Sequence, residues 1–417
     1  MRDLVHEIQT FNAGRDPERL ALKYTGMRSS PFVFLRASCH LFYSRLPDLP
    51  VLVEAPSVWC CGDLHLQNFG SYKGDNRLVY FDLNDFDEAA LAPASWDLLR
   101  FLSSVLVGAD AMAVKKAGAI ALCDAFLDAY RATLVSGKAG WIERETASGL
   151  IGDLLGGLRG RLRPAFLDGR TQLKGKQRHL RLDNGKALPV DDAQRERVTK
   201  LIDDFAATRD EPGFYEVLDV ARRIAGSGSL GVARFVILVR GKGSPDGNYL
   251  LDLKEALPSS LMPFLATPQP RWKSEAARVV EVQRRMQAVS MAFLQPVTFG
   301  ERSFMLRALQ PAEDRVRLDA SRSGPEAIAE VMRSMGGIVA SAQLRSSGRD
   351  GSASADELID FGQAKWRKAL LGAARDCAEQ VGKDWAAYCT AYDDGAFSAS
   401  AQCPAAVVPQ TGADTPG

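Results

Sequence analysis

The stretch CCGDLHLQNFG, residues 60–70, places an acid, an imidazole and an amide close together, as Asp63, His65 and Asn68. The stretch VYFDLNDFDEA, residues 79–89, then carries four acidic residues within seven positions. Between them, the sequence KGDN is typical of a tight turn, so a β-hairpin is predicted to join the two stretches. Carboxylate and amide oxygens are the ligands that Mg²⁺ prefers. The pattern therefore predicts a site for a doubly charged cation.

Phosphoryl transfer needs groups of this kind in this order. In kinases an aspartate accepts the proton of the attacking hydroxyl, and an asparagine and a later aspartate hold the Mg²⁺ that bridges the nucleotide phosphates. An amide oxygen suits this position because it binds the metal without adding repulsion to an anionic site. Single acids often cap turns and helix starts, so it is the complete set that indicates a phosphotransferase site.

The motif GDLHLQN resembles the HGDxHxxN loop of aminoglycoside and choline kinase-like enzymes. The resemblance implies that Asp63 is the catalytic base, that His65 braces the loop and that Asn68 is a metal ligand. Those enzymes also carry a strand that ends in Asp and, a dozen residues later, an Asp-Leu pair on a helix. Asp85 lies twelve residues before Asp97, which matches this spacing.

The second protein ligand of the metal stays open between two acids. Asp82 lies nearer the usual distance from Asn68, whereas Asp85 is followed by Phe86 and fits the spacing to the helix. Both are kept as predicted metal ligands, with a preference for Asp85.

The sequence GSGSLG at residues 226–231 has the pattern G-x-G-x-x-G. In a Rossmann unit a helix follows these glycines, but here VARFVILVRG follows, which is β-branched and aromatic and predicts a strand. A strand–glycine turn–strand hairpin allows backbone N–H groups to approach phosphates. The motif is therefore predicted to bind a nucleotide, through the residues Gly226, Ser227, Gly228, Ser229 and Gly231.

The next predicted strand, NYLLDLKEA, carries one lysine, Lys254, among alternating apolar residues. This is the place of the kinase lysine that pairs with the α- and β-phosphates. A following helix should supply a glutamate that holds the lysine. Glu281 is the preferred candidate for this cofactor-binding role, and Glu275 is the alternative.

The order of these parts differs from that of ordinary kinases, in which the glycine loop and the lysine precede the catalytic aspartate. A circular permutation restores the order, because every part occurs once and in cyclic sequence. The predicted fold class is α+β, a two-lobed protein-kinase-like fold in a circularly permuted form. The permutation requires only that the old termini lie close together at the surface.

The permutation predicts four segments. Residues 1–210 would hold the catalytic loop and helices of the larger lobe, and 211–312 a nucleotide-binding sheet with one helix. Residues 313–395 would be helices that complete the larger lobe, with a hinge near QPAED, and 396–417 a disordered tail. The basic segment 157–186 is predicted to be a solvated surface, with a flap that draws in an anionic or phosphorylated acceptor as the alternative.

Seven quoted stretches together resemble the bacterial family of the domain of unknown function 2252, over residues 25–395: SSPFVFLRAS, CGDLHLQNFG, FDLNDFDEA, WDLLRFLSS, GSGSLG, LKEA and VVEVQRRMQ. The resemblance implies a kinase-like protein and does not imply a substrate. One departure is expected at SAQLRSSGR, where Gln343 takes the place of a histidine; if that histidine positions the substrate or the catalytic loop, activity is slower or different.

Composition excludes other classes of partner. Lys and Arg total 52 and Asp and Glu 51, so no overall field recruits nucleic acid or an anionic membrane. The N-terminus has no apolar core and no apolar run reaches the length of a membrane span, so neither a signal peptide nor a transmembrane segment is expected. Seven cysteines without zinc spacing predict reduced thiols and a cytoplasmic location.

The predicted function is an ATP- and Mg²⁺-dependent phosphotransferase that acts on a hydroxyl group of an unknown small-molecule or protein acceptor. One alternative is transfer of AMP from the same nucleotide. Another is a pseudokinase-like nucleotide-binding regulator without turnover, although such a module would be expected to have lost one of the site residues. A metal-dependent hydrolase is a weaker alternative, because the site lacks the histidine ligands that most such enzymes use.

Overall fold

The computed structural model describes residues 3–183, 185–310 and 314–398, and it is a mixed α+β structure. The helices, in chain order, are α1 Leu4–Phe11, α2 Pro17–Ser29, α3 Pro31–Ala37, α4 Cys39–Ser44, α5 Pro50–Val53, α6 Ala94–Val107, α7 Lys116–Ser136, α8 Gly149–Gly157, α9 Arg163–Asp168, α10 Asp192–Ala206, α11 Glu275–Met286, α12 Ala320–Ser323, α13 Pro325–Ser346, α14 Ala355–Gln363 and α15 Arg367–Asp393. The strands are β1 Ser57–Cys60, β2 Phe69–Lys73, β3 Val79–Leu83, β4 Ala90–Pro93, β5 Ile142–Glu143, β6 Thr171–Lys174, β7 Gln177–Leu180, β8 Ala187–Leu188, β9 Val217–Arg223, β10 Arg234–Val239, β11 Tyr249–Glu255, β12 Gln295–Phe299 and β13 Arg302–Ala308.

The largest sheet has six antiparallel strands in the order β12-β13-β11-β10-β9-β8. Strand β11 lies near its middle, and Lys254 is paired with Arg234 on β10 and with Met305 on β13. One face of this sheet packs on α10 through an apolar cluster that includes Ile202, Ile237 and Leu253. The helix and the short strand β8 both precede residue 211, so the sheet unit begins earlier in the chain than the predicted segment does.

The opposite face of the sheet packs on the basic segment 157–186. Leu167 and Leu180 from this segment form an apolar cluster with Leu238 and Leu250 of the sheet. The segment contains α9 and the hairpin of β6 and β7. A few of its side chains are therefore buried, while most of the segment is exposed, as predicted for a solvated surface.

The large apolar core is formed mainly by helices. The long helices α7 and α13 pack closely, as do α6 and α15, and one large apolar core joins them to the N-terminal helices. The helices after residue 313 thus share a core with those before residue 137. The stretch 31–44 forms two helices, α3 and α4, that are interrupted at Ser38. Phe397, in the predicted disordered tail, is buried against Tyr24 and Tyr388, and residues 399–417 lie outside the described residues.

The first motif, residues 60–70 and 79–89, lies on and between the strands of two small sheets. Strands β2 and β3 form the predicted antiparallel hairpin, with a turn at residues 74–77. Strands β1 and β4 pair with each other, and they lead into the loop at residues 61–68 and into α6. Among the described residues, no helix combines the length and apolar character needed to cross a bilayer.

Candidate functional site

Two distant parts of the chain line one small cavity of about 90 Å³, which we call the small cavity. Its wall from the first motif includes Asp63, His65, Asn68 and Asp85, and its wall from the sheet includes Lys254. Four consecutive residues of the glycine motif complete this wall: Gly226, Ser227, Gly228 and Ser229. The structure therefore brings together most of the residues that the two sequence motifs predicted.

The loop that carries Asp63, His65 and Asn68 is held by Asp97 on α6. The fully buried carboxylate of Asp97 accepts hydrogen bonds from the backbone N–H groups of Cys61 at 2.9 Å and Gly62 at 3.0 Å. Enclosure by protein raises the pKa of Asp97 to about 6. Gly62 has a positive φ of 85°, and a Cβ atom there would lie 2.1 Å from the carbonyl oxygen of Glu88. Only glycine fits at this position, so the GD pair of the motif has a steric cause.

Asp63 forms an ion pair with Arg100, which lies one helical turn after Asp97 on α6. Nε and Nη2 of Arg100 donate to Oδ1 of Asp63 at 3.0 and 2.7 Å, and Arg100 is fully buried. Enclosure of the carboxyl raises the pKa of Asp63 to about 6 in spite of this cation. The pair itself favours the charged forms, since Asp63 also helps to raise the pKa of Arg100. Asp63 is thus oriented by Arg100 through its Oδ1 alone.

His65 lies inside the loop rather than in open solvent. Its Nδ1 accepts a hydrogen bond from the backbone N–H of Gln67 at 3.1 Å, and its Nε2 lies 3.9 Å from Oδ2 of Asp63. Burial, followed by the positive charges of Arg36 and Arg100, lowers the pKa of His65 well below its ordinary value. The ring is therefore neutral near pH 7, and its Nδ1 is tied to the backbone of its own loop; the bracing role stays a prediction.

Asn68 offers an oxygen that no described residue uses. The backbone of Asn68 is fixed, because its N–H donates to the carbonyl of His65 and its carbonyl accepts from the N–H of Asn84, both at 2.9 Å. Its side-chain Oδ1 is buried and has no hydrogen-bond partner among the described residues. A buried orphan acceptor is rare in proteins. Since Asn68 lines the small cavity, this oxygen fits a cation ligand.

Asp85 lies just beyond the end of β3 and lines the same cavity. Enclosure opposes its ionisation, but the positive charges of Lys254 and Arg307 outweigh that effect, and the pKa of Asp85 is lowered. Asp85 and Asn68 together give a carboxylate and an amide oxygen, the set that suits Mg²⁺. Among the described residues, no cluster of three or more His, Cys, Asp and Glu side chains is arranged to hold a metal ion, so a metal here would depend on ligands from the bound substrate.

Asp82 does not line this cavity, and the prediction that it is a metal ligand was wrong. Asp82 lies within β3, where its buried carboxylate accepts from the backbone N–H of Ala288 at 3.1 Å and pairs with Arg345 at 3.3 Å. Burial raises its pKa. The two acids differ because β3 ends at Leu83, so Asp82 belongs to the packed strand and Asp85 to the loop.

Lys254 is buried and contacts the carboxylate of Asp87, not a glutamate of α11. The prediction for Glu281 was wrong, because its carboxylate pairs with Arg284 on the same helix at 3.3 Å. The alternative, Glu275, pairs with Arg278 at 2.7 Å. The counter-charge of the lysine thus comes from the acidic cluster of the first motif.

The glycine loop connects β9 and β10 as predicted, and N-terminal residues hold its carbonyl groups. Arg15 donates to the carbonyl of Gly228 at 2.7 Å, and Lys23 donates to the same oxygen at 2.9 Å. Gly231 lies outside the small cavity. It has a positive φ of 88°, and its carbonyl accepts from the N–H of Asp16 at 2.9 Å. Gly231 therefore serves the packing of the loop rather than the cavity wall.

A second cavity of about 400 Å³, which we call the large cavity, adjoins the first. The two share the wall residues Asp85, Lys254, Gly226, Ser227, Arg36 and Arg315. Apolar side chains of Ile224, Val236 and Leu309 line one side of the large cavity, and Arg170 and Arg181 of the basic segment line another.

Sequence reasoning missed several residues of the site. Arg100 could have been found, because it follows Asp97 by three positions and so shares its helix face. Asp87 was noticed only as part of an acidic cluster. Arg15, in the segment between α1 and α2, and Arg36, on α3, carry no local signal, since they reach the site only through tertiary packing.

Residues 15–391 match the model of a protein family described as "Uncharacterized protein conserved in bacteria (DUF2252)". The chain belongs to this family. No curated protein and no solved structure matches the chain. The family description records no activity, so the chemistry of the cavity is the basis for any functional conclusion.

The expected departure of this chain from its family, Gln343, lies outside both cavities. Gln343 is buried in α13, and its Oε1 accepts a hydrogen bond from the hydroxyl of Tyr130 at 2.5 Å. Any effect of this residue on the catalytic loop would therefore pass through core packing rather than through substrate contact.

Proposed function

We propose that this protein is an ATP- and Mg²⁺-dependent phosphotransferase that acts on the hydroxyl group of a small-molecule or protein acceptor. One observation carries the proposal: Asp63, Asn68 and Asp85 share the small cavity with the glycine loop and Lys254, from more than 140 residues further along the chain. Each group has a role in phosphoryl transfer, and their convergence supports the proposal.

Asp63 is the proposed base. Arg100 holds Oδ1, so Oδ2 is the oxygen that accepts the proton of the acceptor hydroxyl. His65 keeps the loop in place as a neutral ring. As the acceptor oxygen bonds to the γ-phosphorus, the bond from that phosphorus to the β–γ bridging oxygen would break and ADP would leave. Transfer of the hydroxyl proton to Asp63 would prevent a positive charge from forming on the acceptor oxygen.

The donor nucleotide would be held by the opposite wall. Backbone N–H groups of residues 226–229 and the ammonium group of Lys254 would contact its phosphates. Asn68 and Asp85 would hold Mg²⁺, which when bound neutralises negative charge on the phosphates. The base and ribose would lie only at the apolar side of the large cavity, against Ile224, Val236 and Leu309, and would leave its arginine-lined side open.

The proposal includes a kinase-like fold in circularly permuted form. Two features support it: strands β9, β10 and β11, helix α11 and strands β12 and β13 follow the expected order of the nucleotide-binding lobe, and Asp97 lies beneath the catalytic loop. A cytoplasmic location, where ATP is available, is part of the same proposal.

The proposal is tested by thermal unfolding of the purified protein with ATP, ADP or GTP, each with Mg²⁺ or with EDTA. Stabilisation by ATP is expected to be much larger with Mg²⁺, because Asn68 and Asp85 would bind the metal–nucleotide complex. Equal shifts in the two conditions would contradict the metal site. The absence of any nucleotide-dependent shift would contradict the donor site.

A further inference from the structure

The large cavity contains more positive charge than its own carboxylates balance. Asp252 on β11 is fully buried, and its carboxylate contacts three arginines. Arg234 donates to it at 2.8 and 2.6 Å, Nη1 of Arg223 lies at 2.8 Å and Nε of Arg307 at 3.3 Å. All three guanidinium groups come from residues that line the large cavity.

Asp85 is the other carboxylate that lines the large cavity, and its charge is shared with Lys254, so the three cations on Asp252 still leave an excess of positive charge. None of these arginines pairs with another carboxylate among the described residues. Enclosure, only partly offset by Asp252, lowers the pKa of Arg223 to about 10. Buried charge without a counter-ion is costly, so the cluster is suited to a ligand that brings negative charge.

A second pair of arginines lies where the two cavities meet. Arg36 and Arg315 line both cavities, and neither forms an ion pair with a carboxylate in the described part of the chain. Nη1 of Arg315 donates only to the amide oxygen of Gln67, at 3.3 Å. Enclosure, and next the charge of Arg315, lowers the pKa of Arg36 to about 10.

We propose that the large cavity binds a group with several phosphate charges, held between the arginine cluster on Asp252 and the pair Arg36 and Arg315. Planar guanidinium groups bind phosphate oxygens in pairs, and a volume of about 400 Å³ admits a chain of phosphates. The role of this phosphate group in a reaction depends on the proposed phosphotransfer, whereas its binding to the arginines does not. The phosphates belong either to the nucleotide or to a phosphorylated acceptor.

The probe for this site is inorganic tripolyphosphate, with adenosine as the uncharged comparison. Calorimetric titration and thermal unfolding would compare the wild-type protein, Arg223→Gln and the control Arg240→Gln. Arg240 lies just after β10 but is exposed and pairs with Glu216. Arg223→Gln leaves Arg234 and Arg307 on Asp252, so the protein is expected to fold; Arg315→Gln at the junction is the second variant.

We expect tripolyphosphate to bind and stabilise the wild-type protein and Arg240→Gln equally, and to bind Arg223→Gln at least about tenfold more weakly, since a charged hydrogen bond is lost. Adenosine should bind far more weakly than tripolyphosphate. Equal affinity for tripolyphosphate in the wild type and in both cavity variants, or no binding to the wild type, would overturn the inference.

A competition arm separates the two sources of phosphate. Tripolyphosphate is titrated, in excess Mg²⁺, into protein saturated with Mg–ATP. If tripolyphosphate binds while Mg–ATP stays bound, the inference is supported and the site belongs to the acceptor. If tripolyphosphate displaces ATP, the inference is supported and the site belongs to the nucleotide. A protein that binds tripolyphosphate through Arg223 but transfers no phosphate keeps this inference and contradicts only the proposed function.

Discussion

Lys254 contacts the carboxylate of Asp87, a residue that precedes it by 167 positions. The contact joins the sheet to the loop that follows β3, and it lies in the wall of the small cavity. Enclosure and the charge of Asp85 raise the pKa of Asp87, and Lys254 opposes this rise. The charge of Lys254 thus acts on both Asp87 and Asp85.

Replacement of Lys254 by Met should weaken Mg–ATP binding by about ten- to a hundredfold, because a charged contact worth about 1.5–3 kcal/mol is lost. Methionine keeps much of the aliphatic stem, so the fold should be retained. Lys242→Met, at an exposed loop position in the same sheet unit, is the matched control. Unchanged Mg–ATP affinity in Lys254→Met, measured by calorimetry, would show that Lys254 does not contact the nucleotide.

The two candidate acids of the first motif should respond in opposite ways. Asp82→Asn should lower the free energy of unfolding by about 1–3 kcal/mol, since a buried acceptor of Ala288 and partner of Arg345 is altered. It should leave Mg–ATP binding unchanged. Asp85→Asn should instead abolish most of the Mg²⁺-dependent stabilisation by ATP. Each variant is the control for the other, and a loss of metal dependence in Asp82→Asn would refute the assignment.

Gly62 and Gly14 allow a test of the loop geometry. Both have positive φ values, 85° and 75°, but a Cβ atom at Gly62 would lie 2.1 Å from a backbone oxygen, whereas one at Gly14 meets nothing within 4 Å. Gly14→Ala should cost about 1–2 kcal/mol of unfolding free energy through its backbone conformation alone. Gly62→Ala should cost clearly more, or prevent folding. Equal losses of unfolding free energy for the two variants, measured by urea unfolding, would show that Gly62 does not lie in close contact with Glu88.

The pKa of Asp63 predicts a pH dependence. Since its pKa is raised to about 6, the carboxylate is ionised and able to accept a proton above pH 6, and the transfer rate should fall about tenfold per unit below that pH. The folded state also binds this proton more tightly than the unfolded state, so the group lowers stability as the pH rises from about 4 to about 6. Mg–ATP binding over the same range is the control, and a rate that stays constant down to pH 5 would contradict the shift.

Local patterns in the sequence were sufficient for several elements. The turn chemistry of KGDN predicted the hairpin of β2 and β3, and the β-branched run after GSGSLG predicted β10 in place of a Rossmann helix. These features depend on neighbouring residues only, so a single sequence reveals them.

Other features depend on tertiary packing and could not be predicted. The end of β3 at Leu83, which separates Asp82 from Asp85, has no clear local signal. The partner of Lys254 was sought on α11, where the buried face does not include Glu281. The cluster around Asp252 was missed because charged residues that alternate along strands resemble solvent-exposed positions.

The most direct test of the proposed function is transfer of labelled γ-phosphate from ATP by the wild-type protein and by Asp63→Asn. The label can be followed to water, to the protein itself or to a cell extract, so no acceptor needs to be known. Asparagine keeps the shape of the side chain and removes its charge. Mg–ATP affinity should therefore change by less than about tenfold, and phosphoryl transfer should fall by about 10²–10⁴.

Three outcomes would contradict parts of this prediction. Transfer of label from the α- but not the γ-phosphate would show that the site moves AMP. Binding of Mg–ATP without any transfer would show a nucleotide-binding regulator. The central claim predicts γ-phosphate transfer by the wild type and its loss in Asp63→Asn at nearly unchanged Mg–ATP affinity; equal rates of transfer in the two proteins would show that Asp63 is not the base.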